Sequence, residues 1–425
     1  MRLSEQSLLS RRELPSVDTG DPFIQTSYVY TVSSCMLLVV VFFVVLPGAL
    51  IPYFRKVRYL SELPHMEDQG RPRHQGPAGA FTLCQLNVES FARPDPWTYK
   101  VEFIPSKLCS HVVFSVPGLK DWFNDMINYD VYHNATKPVF WPAVRALRLK
   151  GPRLLVSVGA FEDVTRLIFH VANNVDVTAR FSRNMVRWLL GNSLDGALFM
   201  GMFPARPATR NAMVRLVKKL GSLFKVHQLQ LGVVVPPDAG IFQARNAAIK
   251  LAQFVDLLVV KVRKEPSWKA AAESRASMQA AIALLRGCGV PVSKLVLTLS
   301  LEASSFRIAE GLETADLSSS STLPYYAVCE RVKQGNWETA FDGDSLSSFI
   351  HKRVNHEWVI FDDSRSIDLK MSVLRNASLA GVLVWDISVD DFRGLCGTVH
   401  PLLAAVHQSL VRQDPATNVT KLRPS

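Results

Sequence analysis

Side chains that could do chemistry are plentiful in this chain, yet hardly any stand at a spacing that chemistry uses. No G-x-S-x-G, H-E-x-x-H or C-x-x-C pattern occurs, so no strained serine nucleophile, paired-imidazole metal site or vicinal dithiol is encoded. His351 and His356 stand in one polar stretch and read as surface residues, and His170 lies in an apolar helical stretch that half-buries it. Two strand-like stretches are more informative. Leu194–Pro204 reads Leu-Asp-Gly-Ala-Leu-Phe-Met-Gly-Met-Phe-Pro, and the period of two along a strand puts Leu198, Met200 and Met202 on one face. Carboxyl groups at such positions would converge on a single bond and move protons across it. Leu and Met can neither donate a proton nor carry charge. Lys261 and Arg263 share a face in the same way, with Lys264 beside them.

Positioning any such set requires a sheet. Apolar β-type runs are predicted at Ala80–Val88, Val112–Ser115, Arg153–Val158, Gly196–Met200, Gln230–Pro236, Leu257–Val262, Leu295–Leu299 and Gly381–Trp385. Amphipathic helices are predicted between them, among them Val177–Leu190, Ala208–Phe224, Ala239–Phe254, Trp268–Arg286 and Ile367–Ala377. Strands alternating with helices in this way predict an α/β fold, a closed parallel (β/α)8 barrel of the TIM type. An open doubly wound sheet is the competing architecture, and no G-x-G-x-x-G or G-x-x-x-x-G-K-[ST] supports it.

Asp195, Gly196 and Pro204 match, without a gap, the F-D-G-x-D-x-D-W-E-Y-P of the fourth barrel strand in the family 18 glycoside hydrolases, the chitinase fold. Cys109-Ser-His-Val-Val-Phe-Ser resembles the family's second strand, C-T-H-x-x-Y-x-F, and Leu155-Val-Ser-Val-Gly-Ala-Phe161 its third-strand S-x-G-G-W. Lys294-Leu-Val-Leu-Thr-Leu-Ser, followed by Ser305-Phe306, is similar to the seventh strand and the start of the excursion after it. Tyr325-Tyr-Ala-Val-Cys329, Trp358-Val-Ile-Phe-Asp-Asp363 and Leu379-Ala-Gly-Val-Leu-Val-Trp385 resemble the C-terminal third. The collinear order of these matches gives the resemblance its weight. It implies a chitinase-like barrel with a short excursion between the seventh and eighth strands.

The resemblance also implies that the catalytic set is degenerate. The family's second Asp falls on Leu198, its third on Met200 and its catalytic Glu, the general acid of a substrate-assisted route, on Met202. The sixth-strand Tyr and Asp fall on Arg263 and Lys264, the seventh-strand Tyr on Glu302, and the first-strand aromatic loosely on Glu89. Trp385, Phe161 and Asp386 are left as candidates for binding a ligand. Inward-facing cations need partners, because burying one alone costs several kcal/mol. Arg263 is therefore expected to pair with Glu302, and Lys261 with a second acid, Asp386 or Glu89. The family's cystine pattern implies Cys84 with Cys109 and Cys329 with Cys396, leaving Cys288 single and Cys35 in the apolar segment described next. Reduced core cysteines are the alternative.

Composition bounds the rest. At 425 residues and 48% hydrophobic, the chain can bury a large core. Its formal charge of +11 is unaccompanied by any basic run interleaved with aromatics, which argues against nucleic acid and leaves anionic glycans or acidic membrane surfaces as partners. Residues 22–54 hold no charge, and Tyr28–Leu50 is long enough to cross a bilayer, with Tyr28, Tyr30 and Tyr53 at its edges. A polar leader precedes it and Pro47 spoils the cleavage site, so an uncleaved signal anchor is expected rather than a removed signal peptide. Arg55, Lys56 and Arg58 favour a cytosolic C-terminus. The sequons at Asn134, Asn376 and Asn418, taken with the cysteines, favour the lumen or cell exterior, with secretion after processing as a variant.

The expected organisation is a polar tail (1–27), an anchor (28–54), a flexible stalk (55–78), the barrel (79–412) and a C-terminal tail (413–425). No cofactor or metal is implied, and the oligomeric state is not encoded in any recognisable motif. The expected function is that of a membrane-anchored, inactive chitinase-like ectodomain used as an interaction or signalling scaffold. Lectin-like binding of chitin or other N-acetylglucosamine-containing glycans at the barrel mouth is the first alternative, and a weakly active chitinase the second.

Overall fold

The structure, a computed structural model, describes residues 80–115, 137–159, 162–200, 207–236, 245–262, 275–287, 289–307, 316–352, 354 and 356–411. All of them belong to the compact unit Arg71–Ser425; the unit Met1–Gly70 lies outside them, as do the expected anchor and the whole of the expected stalk. Among the described residues no helix is long and apolar enough to cross a membrane.

The chain builds β1 (Phe81–Asn87), β2 (His111–Ser115), β3 (Arg153–Val158), β4 (Gly196–Met200), β5 (Gln230–Val235), β6 (Leu257–Val260) and β7 (Leu295–Ser300). An antiparallel excursion follows, with β8 (Ala303–Arg307), β9 (Asp316–Leu323), β10 (Glu338–Asp342), β11 (Ser347–Lys352) and β12 (Glu357–Phe361), before β13 (Gly381–Trp385) returns. Strand β13 pairs in parallel with both β7 and β1 and so closes the barrel. Closure excludes the open doubly wound sheet.

The helices are α1 (Lys137–Arg148), α2 (Glu162–Asn173), α3 (Val175–Gly191), α4 (Pro207–Val226), α5 (Arg245–Ala252), α6 (Arg275–Gly287), α7 (Tyr325–Lys333), α8 (Ser364–Asn376) and α9 (Pro401–Val411). Helix α3 shows why such segments are helical. Thr178, Phe181, Ser182, Met185, Val186 and Leu189 form its buried stripe, and the Asn174 side chain caps the first turn by accepting from the Val177 N–H at 3.1 Å.

Two apolar layers result, and the strand period separates them. Leu83, Val113, Leu155, Leu198, Leu257 and Leu383 fill the barrel interior. Their neighbours Cys84, Val112, Leu154, Phe199, Leu258 and Val384 face outward against the helices. Both faces are buried, so the strands read as continuous apolar runs rather than alternating ones.

At the N-terminal end of the barrel a device recurs at the residue preceding β2, β4 and β6. The Ser110 N–H donates to Thr82 O, and its hydroxyl accepts from the Thr82 N–H at 3.0 Å. Asp195 does the same toward Leu154, accepting its N–H at 2.8 Å, and Asp256 toward Leu231, also at 2.8 Å. Each side chain supplies the acceptor that the frayed start of a neighbouring strand lacks.

The excursion is larger than the short connection expected. It forms a five-stranded sheet in the order β10-β11-β12-β8-β9, with α7 following β9 in the chain. Two features fasten it. Cys329 of α7 is bonded to Cys396, and Lys370 of α8 reaches Asp362 at the end of β12 and Ser347 of β11.

Candidate functional site at the barrel mouth

Parallel barrels collect their functional side chains at the C-terminal ends of the strands. Here the described floor of that end is built from alternating inward positions of β1, β3, β4, β7 and β13. Leu198 is fully buried, and Met200 is 9% exposed. Leu198 fills the space left by Gly232 on β5, where an added Cβ would stand 2.4 Å from a leucine methyl. Gln85 of β1 spans the floor, its Nε2 donating toward Ser157 Oγ at 3.4 Å and the Met200 sulfur at 3.7 Å. Thr298 accepts the Val262 N–H at 2.9 Å.

The inward direction expected for Leu198 and Met200 is what the structure shows; Met202, the third of the series, lies outside the described residues. None of the eight barrel strands contains an Asp or a Glu. As described, the floor is apolar and neutral-polar, and none of its side chains is a general acid at neutral pH.

The remaining candidates scatter. Asp195 is not at the mouth but at the opposite end, where it bonds Leu154 and sits 3.2 Å from the Arg148 guanidinium of α1. Asp386, a ligand candidate by sequence, is 3% exposed, and its carboxylate is occupied within the protein. It accepts the Ser388 N–H at 3.0 Å, the Ser388 hydroxyl at 2.7 Å and the Asn87 N–H at 3.3 Å. Burial raises its pKa to about 6 against the pull of those bonds. Trp385 is half-buried at the end of β13, packed on the interior cluster, with a cis peptide bond to Asp386.

Lys261 continues the inward parity of Leu257 and Val259 but stands exposed, so water solvates its ammonium and the expected buried pairing does not arise. Glu302 is half-buried, and its N–H donates to Ser300 Oγ at 3.3 Å. Glu89 is held by Asn87 at 3.2 Å. Phe161, Arg263 and Lys264 lie outside the described residues, and with them the Arg263–Glu302 pairing.

Both expected cystines are formed, with Cα separations of 5.7 Å for Cys84–Cys109 and 5.5 Å for Cys329–Cys396. Cys288 is outside the described residues. Among the described residues one group has metal-ligand types, Cys329, Asp391 and Cys396, and its two sulfurs are joined to each other. Sequence reasoning missed Gln85 and Ser157 as floor residues. Their signal was a polar residue at an inward position of an otherwise apolar run.

A closed barrel whose seventh and eighth strands are separated by an antiparallel sheet is a fold of the chitinase type, here with a floor whose described residues include no acid. Residues 90–390 match the family model for Glycosyl hydrolases family 18, and the chain belongs to that family. It is 22% identical to probable chitinase 10 of Drosophila melanogaster over 372 residues, which are 77% of this chain and only 16% of that protein. With chitinase-3-like protein 2 of Homo sapiens the identity is 22% over 377 residues, 79% of this chain and 94% of the relative. Human YKL-39, described as a pseudo-chitinase with retained chitooligosaccharide binding properties, has a similar solved fold. Its TM-score is 0.66 at 20% identity, over 78% of this chain and 99% of that one.

Proposed function

We propose that this chain is a catalytically inactive family 18 barrel, tethered to a membrane on its lumenal or outer side, that serves as an interaction scaffold. The observation that carries the loss of activity is the barrel floor. Leu198 and Met200 hold the inward positions where the resemblance places acids, and no barrel strand contains a carboxylate. Hydrolysis of a glycosidic bond requires a carboxyl group positioned to protonate the leaving oxygen, and removing one such group costs about a hundred- to ten-thousand-fold in rate. Turnover of N-acetylglucosamine oligomers is expected to be undetectable, and Met202→Glu alone does not restore it because Met200, Arg263 and Glu302 remain. Release of reducing sugar by the unmodified protein sinks this reading.

A second reading, lectin-like binding of N-acetylglucosamine oligomers, draws on the half-exposed Trp385 at the mouth and on the binding described for YKL-39. Titration calorimetry with the tetramer separates the two. Heat of binding that disappears in Trp385→Ala makes the protein a lectin, and no heat leaves the scaffold.

The tether rests on the uncharged segment 22–54. Its lumenal side rests on two disulfides that suit an oxidising compartment and on Asn376, exposed at the end of α8. Expressed in animal cells, the protein is expected to resist carbonate extraction and to run faster on a gel after deglycosylation. Extraction by carbonate removes the anchor, and an unshifted band counts against the lumenal orientation.

A further inference from the structure

We propose that the outer wall formed by α3 and α4 binds a linear sulfated polysaccharide. The inference goes beyond the scaffold reading, because this wall is on the flank of the barrel and needs neither the tether nor the loss of catalysis. Helices α3 and α4 pack on each other, and each buries one stripe against the barrel. Together they hold eight Arg and Lys and a single acid, Asp176, in a chain whose whole ratio is 48 to 37. The helical repeat puts Asn211, Arg215, Lys218, Ser222 and Lys225 on one outward stripe about 20 Å long, with Lys219 at its edge. These six are the exposed residues from Asn211 to Lys225. On α3 the exposed residues beyond Asp176 are Arg180, Arg183 and Gly191. Arg187 and Arg210 are half-buried and engaged within the protein. Of the other acids between α2 and β6, Asp195 is paired with Arg148, and Asp256 accepts the Leu231 N–H at 2.8 Å. Asp238 lies outside the described residues, and Glu162 and Asp163 open α2, which follows β3 at the mouth end.

Folding does not ask for this arrangement. Lys225, in the last turn of α4, complements the helix dipole. Arg215, Lys218 and Lys219 stand in mid-helix three and four residues apart, where like charges repel, and Arg180 and Arg183 repeat the spacing. The wall is therefore under repulsion until an anion lies along it. It is also held rigidly. Gly221 lets α4 press on the turn after α5, since an added Cβ would meet Phe254 O, and Lys218 Nζ lies 5.7 Å from the centre of the Phe254 ring. The stripe offers no aromatic face on which bases could stack, and the exposed Val175 and Val226 stand at helix ends rather than among the central cations. Cations spread along a helix suit a chain with repeated anionic groups rather than a single phosphate. The two disulfides suit an oxidising compartment, where sulfated polysaccharide is the polyanion at hand. Asn376 is on α8, which leads to β13, and β13 lies across the closed barrel from β4, so a glycan there leaves this wall open. Asn134 and Asn418 lie outside the described residues.

The test uses the full chain, purified in a neutral detergent, and heparin immobilised on a sensor. Binding is expected at about 0.15 M salt and is lost by about 1 M, where screening acts within about 3 Å. Arg215→Ala, Lys218→Ala and Lys219→Ala combined are expected to weaken it about tenfold or more, the sum of three exposed ion pairs. Arg180→Ala with Arg183→Ala is expected to weaken it several-fold. A control of equal charge at exposed positions elsewhere, Lys100→Ala, Lys107→Ala and Lys333→Ala, is expected to change it less than about twofold. The α4 substitutions relieve repulsion, so their melting temperature is expected to hold or rise, which also shows that the variant folds. No binding to heparin overturns the proposal. So does a control set that weakens binding as much as the α4 set, which would make the attraction one of net charge. Displacement of heparin by single-stranded DNA of matched charge at equal concentration also overturns it, and assigns the wall to nucleic acid.

Discussion

Lowering the pH from about 7.5 to about 5 is expected to raise the unfolding free energy by on the order of 3 kcal/mol, the reverse of ordinary acid destabilisation. The source is a pair of buried carboxyl groups following β13. Burial pushes Asp386 up to about 6 and Asp390 up to about 7, from an ordinary value of 3.8. Asp390 is fully buried and accepts the N–H groups of Asp391 at 2.8 Å, Leu403 at 3.0 Å and Leu402 at 3.4 Å, which caps the start of α9. These bonds and the neighbouring helix end oppose the upward shift but do not cancel the desolvation.

A carboxyl group whose folded pKa is raised contributes fully below its unfolded pKa, and the contribution is lost as pH rises through the folded value. The window is therefore between about 5 and 7.5, with Asp390 supplying the larger share. His400 works against it. Burial lowers its pKa, so its neutral form favours folding and that contribution fades as pH falls through the ordinary histidine range. Its Nδ1 lies 3.8 Å from Asp390, so the two titrate in sight of each other. Urea unfolding at several pH values with the disulfides intact measures the slope. Asp390→Asn, which cannot ionise, is expected to flatten it by more than half. A wild-type stability that falls on acidification across this range refutes the assignment.

Asp362→Ala is expected to cost about 3–5 kcal/mol, because it leaves the Lys370 ammonium uncompensated in the core. Lys370 is wholly buried, with its Nζ 2.7 Å and 2.6 Å from the two Asp362 oxygens and 3.2 Å from Ser347 Oγ. The pair ties the excursion sheet to α8, which carries the chain back to β13. Replacing both partners by apolar residues, Lys370→Met with Asp362→Leu, is expected to restore most of the loss, because the desolvation penalty disappears along with the attraction. Denaturant titration of the two variants decides it. A single substitution that costs less than about 1 kcal/mol would mean that water reaches the ammonium and the pair is not isolated.

The inward direction of Leu198 and Met200 was legible in the residues, and the reason is the strand period. Leu198 and Met200 face inward because alternate residues of a strand must, and no tertiary information is needed to predict it. The same parity places Lys261 on the inner side, but parity says nothing of depth. Lys261 lies just beyond β6, whose last residue is Val260, and a cation at a strand end meets water. Asp195 and Asp386 show a related limit of sequence. A carboxylate next to a strand looks functional in sequence, whereas backbone N–H groups of distant segments, Leu154 for one and Asn87 for the other, decide what it bonds.

By itself the sequence determined the barrel. Each strand buried on both faces is a continuous apolar run, so Arg153–Val158, Gly196–Met200 and Gly381–Trp385 appear in the structure with the bounds predicted. The cystines were legible through the family resemblance. The excursion was not, since β9 reads Asp-Leu-Ser-Ser-Ser-Ser-Thr-Leu and β10 is exposed and polar, so antiparallel pairing rather than local propensity makes them strands. Helix α1, with Pro142 inside it, and the short α7 were hidden for the same reason, their local signals being weaker than the packing that holds them.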